Sequence, residues 1–135
     1  MIVDSSAIVA IALNQPEAAR AAPVLLADPA PRISAGNLLE TYMVIDRRWG
    51  DRAAAVIARV VTPLGLIVEP VTEAQVVIAR DAWRRYGRGS GHPARLNYGD
   101  CFAYALARER GEALLFIGND FARTDIVPVL GDSAT

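Results

Sequence analysis

Four carboxylates stand where a carboxylate is locally out of place. Asp4 interrupts the apolar opening MIVDSSAIVA, and Glu40 falls inside the apolar segment Leu38 to Ile45. Asp100 immediately precedes Cys101, Phe102 and Ala103, and Asp120 sits between Asn119 and Phe121. A buried or half-buried carboxylate is costly unless it is paired or bound to a metal. Taken singly, each has a modest explanation: Asp4 and Asp120 as helix caps, Asp100 as a first-turn acid facing the helix dipole, Glu40 as a solvated position on an amphipathic helix. Taken together, four acids at strand-to-helix edges with no arginine immediately beside them point to a shared cation. Mg²⁺ and Mn²⁺ suit carboxylate and water oxygens, whereas one histidine and one cysteine cannot furnish the ligands of a softer metal such as zinc. His92, in a glycine-rich stretch, reads as an exposed turn residue, and Cys101 as a small buried hydrophobe rather than a nucleophile.

The elements that must position these acids alternate between strand and helix. Met1 to Val3 reads as a short buried strand ending at Asp4, with the apolar stretch Ala7 to Leu13 as a helix directly after it. Asn14 and Pro16 offer a cap and a first-turn proline for a helix to about Ala27, interrupted by Pro23. Arg32 to Ala35 is a second strand, and Asn37 opens a helix that Gly50 closes; Asp51 starts another, to about Val61. Leu66 to Val68 is a third strand. Thr72, with Gln75 at capping-box spacing, begins a helix to Tyr86. Gly87 to Asn97, with three glycines and a proline, is a loop; Asn97 then caps a helix over Tyr98 to Arg110, terminated by Gly111. Ala113 to Ile117 is a fourth strand, Gly118 to Thr124 a turn with a short helix, and Ile126 to Leu130 a last strand, followed by a frayed tail over residues 131–135. Such alternation predicts an α/β fold with a largely parallel sheet covered by helices, its site at the carboxyl ends of the strands.

The 135 residues, 53% hydrophobic, suit one domain spanning 1–135. No apolar run approaches the roughly 20 residues of a membrane span, and no basic region precedes the first apolar stretch, so the expectation is a cytoplasmic protein without a secretory signal. A single cysteine excludes an internal disulfide. Basic and acidic residues nearly balance at 14 and 15, and every basic residue is an arginine. The lack of lysine argues against a P-loop, a receiver domain and a haloacid-dehalogenase-type phosphotransferase; the last would also want an aspartate where this chain has Ser6.

MIVDSSAIVA, the LLE of Leu38 to Glu40, LNYGDCFAYALARERG from Leu96 to Gly111 and LLFIGNDFARTDI from Leu114 to Ile126 together resemble the VapC-type toxins of the PIN-domain ribonuclease family, in order and spacing and over nearly the whole chain. The resemblance implies a three-layer PIN-like fold with about five mostly parallel strands flanked by helices. It implies a Mg²⁺- or Mn²⁺-dependent endoribonuclease, a VapB-like antitoxin as partner, and a homodimer. The family's acids fall on Asp4, Glu40, Asp100 and Asp120, and its small hydroxyl residue on Ser6, which would orient Asp4. Asn119 and Asp125 also approach the pocket so implied, and Asp125 stays open as an alternative fourth ligand. The resemblance leaves open whether one metal operates or two.

RNA needs cations and flat surfaces around an acidic hole. Arg80, Arg84, Arg85, Arg88 and Arg95, interleaved with Trp83 and Tyr86, lead into the loop before Asp100 and suit phosphates and unpaired bases. An ordinary solvated helix face with Trp83 in the core is the competing explanation. The competing function is a catalytically silent PIN domain that binds RNA or protein.

Overall fold

The computed structural model describes residues 1–131, so the last four residues of the expected tail, 132–135, lie outside it. Four short strands, β1 (Ile2–Val3), β2 (Arg32–Ser34), β3 (Ile67–Glu69) and β4 (Leu114–Leu115), form a fully parallel sheet in the order β3-β2-β1-β4. Parallel neighbours require crossovers, and the helices provide them: α1 (Ser5–Ala12), α2 (Ala18–Ala27), α3 (Ala35–Trp49), α4 (Ala53–Val56), α5 (Glu73–Tyr86) and α6 (Tyr98–Arg110). Among the described residues no helix is long and apolar enough to cross a membrane.

Strand alternation divides the core. Ile2 and Leu114 face one layer, with Ala82, Ala103, Tyr104 and Leu106 of α5 and α6. Their neighbours Val3 and Leu115 face the other, with Ala7, Ile8, Leu25 and Ile45 of α1, α2 and α3. Two-residue strands suffice because both faces of each are fully buried.

Several boundaries differ from the sequence expectation. The last strand, expected over Ile126 to Leu130, is reduced to one parallel bridge between Leu114 and Pro128, so the sheet has four strands and not five. That bridge uses the Val127 carbonyl and the Val129 N–H, which is why a proline fits between them. Ser34, not Asn37, caps α3: its hydroxyl accepts the Gly36 N–H at 3.3 Å, while Asn37 lies buried in the first turn. The helix expected from Asp51 is irregular, with 3-10 turns at Gly50–Arg52 and Thr62–Leu64 enclosing α4 and a π-helical turn over Ile57–Val61. Thr72 does cap α5, accepting from Gln75 N at 3.2 Å. The Gln75 amide does not reach back to close the box; it donates to Glu109 Oε1 at 2.9 Å and ties α5 to α6.

Where α3 starts, Gly36 lies against α6. A Cβ there would stand 2.9 Å from Cγ of Phe102 and 3.1 Å from both Cδ atoms, at the root of the ring and not at its far end. Gly→Ala within a helix ordinarily stabilises by about 0.5–1 kcal/mol. Here overpacking reverses the sign: Gly36→Ala is expected to lower the melting temperature by the equivalent of about 1 kcal/mol or more, and to cost less in a Phe102→Ala background, where the crowded atoms are gone. Thermal denaturation of the four proteins checks this; a Gly36→Ala variant more stable than wild type would refute the packing.

Candidate active site

β1 runs out at Asp4, and the same residue caps α1. Its Oδ2 accepts the Ser6 N–H at 3.0 Å, while the Ser6 hydroxyl accepts the N–H of Ile117 at 2.9 Å, just past β4. The first turn of α1 is thereby tied to the neighbouring strand. Ser6 holds Asp4 through its backbone N–H, whereas its hydroxyl, the group the family resemblance puts forward, is taken up by Ile117. The other oxygen, Asp4 Oδ1, is buried and has no hydrogen-bond partner.

Asp100 enters from the start of α6 through a complete capping box. Asn97 Oδ1 accepts the Asp100 N–H at 2.8 Å, and Asp100 Oδ2 accepts the Asn97 N–H at 2.9 Å. Side chains at both Asp4 and Asp100 are thus fixed by one oxygen each.

Glu40 arrives from α3 and presses on the backbone of α6. A Cβ at residue 99 would lie 2.2 Å from Glu40 Oε2, so only glycine admits this approach. Glu40 Oε1 accepts from the Ser5 hydroxyl at 2.5 Å and from Asn37 Nδ2 at 3.3 Å, and the same Asn37 nitrogen donates to the Gly99 carbonyl at 2.9 Å. Ser5, Asn37 and Gly99 were not read from the sequence as residues of the site. The available signal was Asn37 three residues before Glu40, which puts both on one helix face.

The electrostatics are those of crowded acids. Burial pushes the Asp4 carboxyl up to about 6, Glu40 adding to the rise and hydrogen bonds from Ser6 opposing it. Burial likewise pushes Asp100 up to about 7, with the charges of Asp4, Asp120 and Glu40 raising it further against the Asn97 N–H. The Cys101 thiol rises to about 11, through burial and then the charge of Asp100, which removes it as a nucleophile.

Asp120 is exposed on the turn after β4, and its charge still reaches Asp100. Asp125 is committed elsewhere: its Oδ1 accepts the Tyr104 hydroxyl at 2.7 Å, about one helical turn along α6 from Asp100, and its Oδ2 lies 3.6 Å from Arg108, about two turns along. Asn119 is exposed and borders a hollow beyond β4. As they stand, no three Asp, Glu, His or Cys side chains among the described residues close tightly enough to hold a metal ion. The buried pair is nevertheless suited to a hard cation. The only two buried side-chain polar atoms left unsatisfied among the described residues are Asp4 Oδ1 and Asn37 Oδ1, both in this cluster.

The arginines separate into two groups. Arg80, Arg84, Arg88 and Arg95 are exposed. Arg85 instead donates to the Tyr86 hydroxyl at 2.8 Å, lies 4.7 Å over that ring, and stands 3.4 Å from Asp81. Tyr86 belongs to the core and offers no face for stacking. Trp83 and Tyr98 are exposed, the latter 79%, and with Arg80 they line a groove of about 410 Å³ between α5 and α6. His92 is half-buried, edge-on to Tyr86, and its Nδ1 accepts the Ala94 N–H at 3.1 Å.

Known proteins resemble this chain in sequence and in fold. Ribonuclease VapC42 of Mycobacterium tuberculosis is 46% identical over 128 residues, which cover 95% of this chain and 98% of the relative. Ribonuclease VapC28 of the same organism is 44% identical over 126 residues, covering 93% and 95%. Among solved structures, the crystal structure of Mycobacterium tuberculosis VapC20, described as a sarcin-ricin loop cleaving toxin, matches with a TM-score of 0.71 over 95% of this chain and 97% of the other, at 23% identity; at that identity the likeness is one of fold. The PIN domain model matches residues 1–127. With the parallel sheet, the carboxylates at its carboxyl edge and these relatives in agreement, the chain belongs to the PIN-domain family, among the VapC ribonucleases.

Proposed function

We propose that the chain is a Mg²⁺- or Mn²⁺-dependent endoribonuclease, the toxin of a VapBC pair, that hydrolyses RNA at the Asp4–Asp100 cluster. The observation that carries the reading is the buried, partnerless Asp4 Oδ1 beside Asp100, with both carboxyls raised by burial and crowding. Relatives named as VapC ribonucleases at 40–46% identity support the activity.

Asp4 and Asp100 would hold the ion directly, with Glu40 and Asp120 completing the shell directly or through water. When bound, such an ion supplies a water acidic enough to attack a phosphodiester near neutral pH and offsets the charge of the substrate. The protein's own part is orientation. The N–H groups of Ser6 and Asn97 aim the two aspartates, and Ser5 and Asn37 hold Glu40 over Gly99. Arg84, Arg88 and Arg95 suit RNA phosphates, while Trp83 and Tyr98 present flat faces to unpaired bases. A VapB-like antitoxin that sets an arginine among the acids would displace the metal and offset their repulsion. We take the working form to be a homodimer.

RNA cleavage is expected to require Mg²⁺ or Mn²⁺, to stop in EDTA, and to be abolished by Asp4→Asn or Asp100→Asn with the circular dichroism spectrum unchanged. Activity persisting in folded Asp100→Asn at matched metal concentration would sink the assignment; a folded wild type that binds RNA without cutting it under any metal would make the chain a silent binding module.

The raised pKa values fix a stability trend. Folded Asp4 and Asp100 hold their protons up to about pH 6 and 7, whereas the unfolded chain releases them near 3.8. Their contribution therefore favours folding at the acid end of that window and is lost as pH rises through 6 to 7. At pH 7.5 the melting temperature should rise with Mg²⁺ or Mn²⁺, and Asp100→Asn in EDTA should be at least as stable as wild type, since its amide oxygen still caps α6. Scanning fluorimetry of both proteins decides it: a metal-insensitive wild type together with a clearly weakened Asp100→Asn would show separate caps instead of one site.

A further inference from the structure

Beyond the end of β4, walled in part by the turn that carries Asp120, lies a hollow of about 300 Å³ that the metal chemistry does not use. Phe116 and Leu130 are among its apolar walls, Gly118 and Asn119 form its edge, and Glu17 and Arg20 of the α2 region stand at its rim. The Phe116 ring is braced at 5.2 Å by the buried ring of Phe121, and Arg20 Nη2 donates to the Gly131 carbonyl at 3.1 Å, so two sides of the hollow are held in place. Its wall is also continuous with the carboxylates. Ile117, which lines it, donates to Ser6 Oγ, and Ser6 donates to Asp4, so two hydrogen bonds separate the hollow from the buried aspartate. Whatever occupies it rests against Asn119, the residue before Asp120.

We infer that this hollow is a base-reading pocket, specific for guanine, that seats one nucleotide of the RNA strand beside the bond to be cut. A volume at the small end of ligand pockets suits a single base. Aromatic and apolar walls accept a flat ring, and the Glu17 carboxylate at the rim demands donors. Guanine alone among the four bases offers two parallel N–H donors, N1–H and the 2-amino group, on one edge, and these match both oxygens of Glu17. Adenine, cytosine and uracil each set an acceptor beside their donor, which a carboxylate repels. The Asn119 amide, donor and acceptor both, completes recognition at the guanine O6. The pocket depends on the ribonuclease reading for what it serves, though not for whether it binds.

The test is a shift titration of ¹⁵N-labelled protein in EDTA with GMP, AMP, CMP and UMP, which share their phosphate and differ in base. GMP should move the amides of Gly118 and Asn119 and bind about tenfold more tightly than the other three, the discrimination typical of a bidentate base contact. Glu17→Gln, an exposed substitution whose folding the same spectra report, should erase that preference. Equal response to all four nucleotides, a response confined to other residues, or a guanine preference that survives Glu17→Gln overturns the inference. A guanine preference in a protein that cleaves no RNA with Mg²⁺ or Mn²⁺ would leave the pocket standing and refute the ribonuclease reading.

Discussion

Two carboxylates buried side by side, each with one oxygen satisfied and little to neutralise the other, set the terms for the rest of the molecule. Asp4 is 3% exposed and Asp100 7%, and neither has an arginine within salt-bridge distance. Leaving such groups ionised and unpaired in a protein interior is costly, so their proton affinity rises instead. The fold accepts this because it places each at the N-terminus of a helix, α1 or α6, where backbone N–H groups have no partner within the helix. Ser6 and Asn97 each spend an N–H on one carboxylate oxygen, and the second oxygen is left for something that arrives from solution.

Everything nearby serves to keep that pair close without letting it collapse. β1 is central in the sheet, so Asp4 is fixed from both sides, by β2 and by β4. α6 packs on α5 below and on α3 beside, and the missing side chain at Gly99 lets Glu40 lie against its first turn. Glu40 then adds charge to both aspartates while its own oxygen is shared by Ser5 and Asn37. Asp120 is the exception, exposed on a turn and acting on Asp100 through its charge alone.

How much of this was legible in the sequence depends on the kind of signal. The strand-helix alternation and the awkward acids were legible because they are local: an apolar run broken by Asp4 can be seen without knowing its neighbours. Asn97 was legible as a cap, since Asp100 three residues later makes the motif explicit. Asn37 was misread as a helix opener because a buried asparagine and a capping asparagine look alike until Ser34 is seen to take the role. The fifth strand failed for a different reason: Ile126 to Leu130 has strand composition, but its pairing is set by a single register with Leu114. Arg85, Tyr86 and Asp125 were grouped by proximity in sequence with RNA-facing or pocket residues. Tertiary contacts assign them instead to a clamp around Tyr104, where Asp125 takes the buried hydroxyl and Arg108 and Arg85 flank it.

The central claim, that Asp4 and Asp100 form one cation-demanding unit, can be read directly from their carboxyl carbons. A ¹³C NMR titration of the metal-free protein, with the two resonances assigned through Asp4→Asn and Asp100→Asn, should show the pair ionising in steps that reach about 6 and 7 rather than the ordinary 3.8. Addition of Mg²⁺ should move both steps downward, because a bound dication favours the ionised form. Two independent titrations near the ordinary aspartate value, unmoved by Mg²⁺, would contradict it.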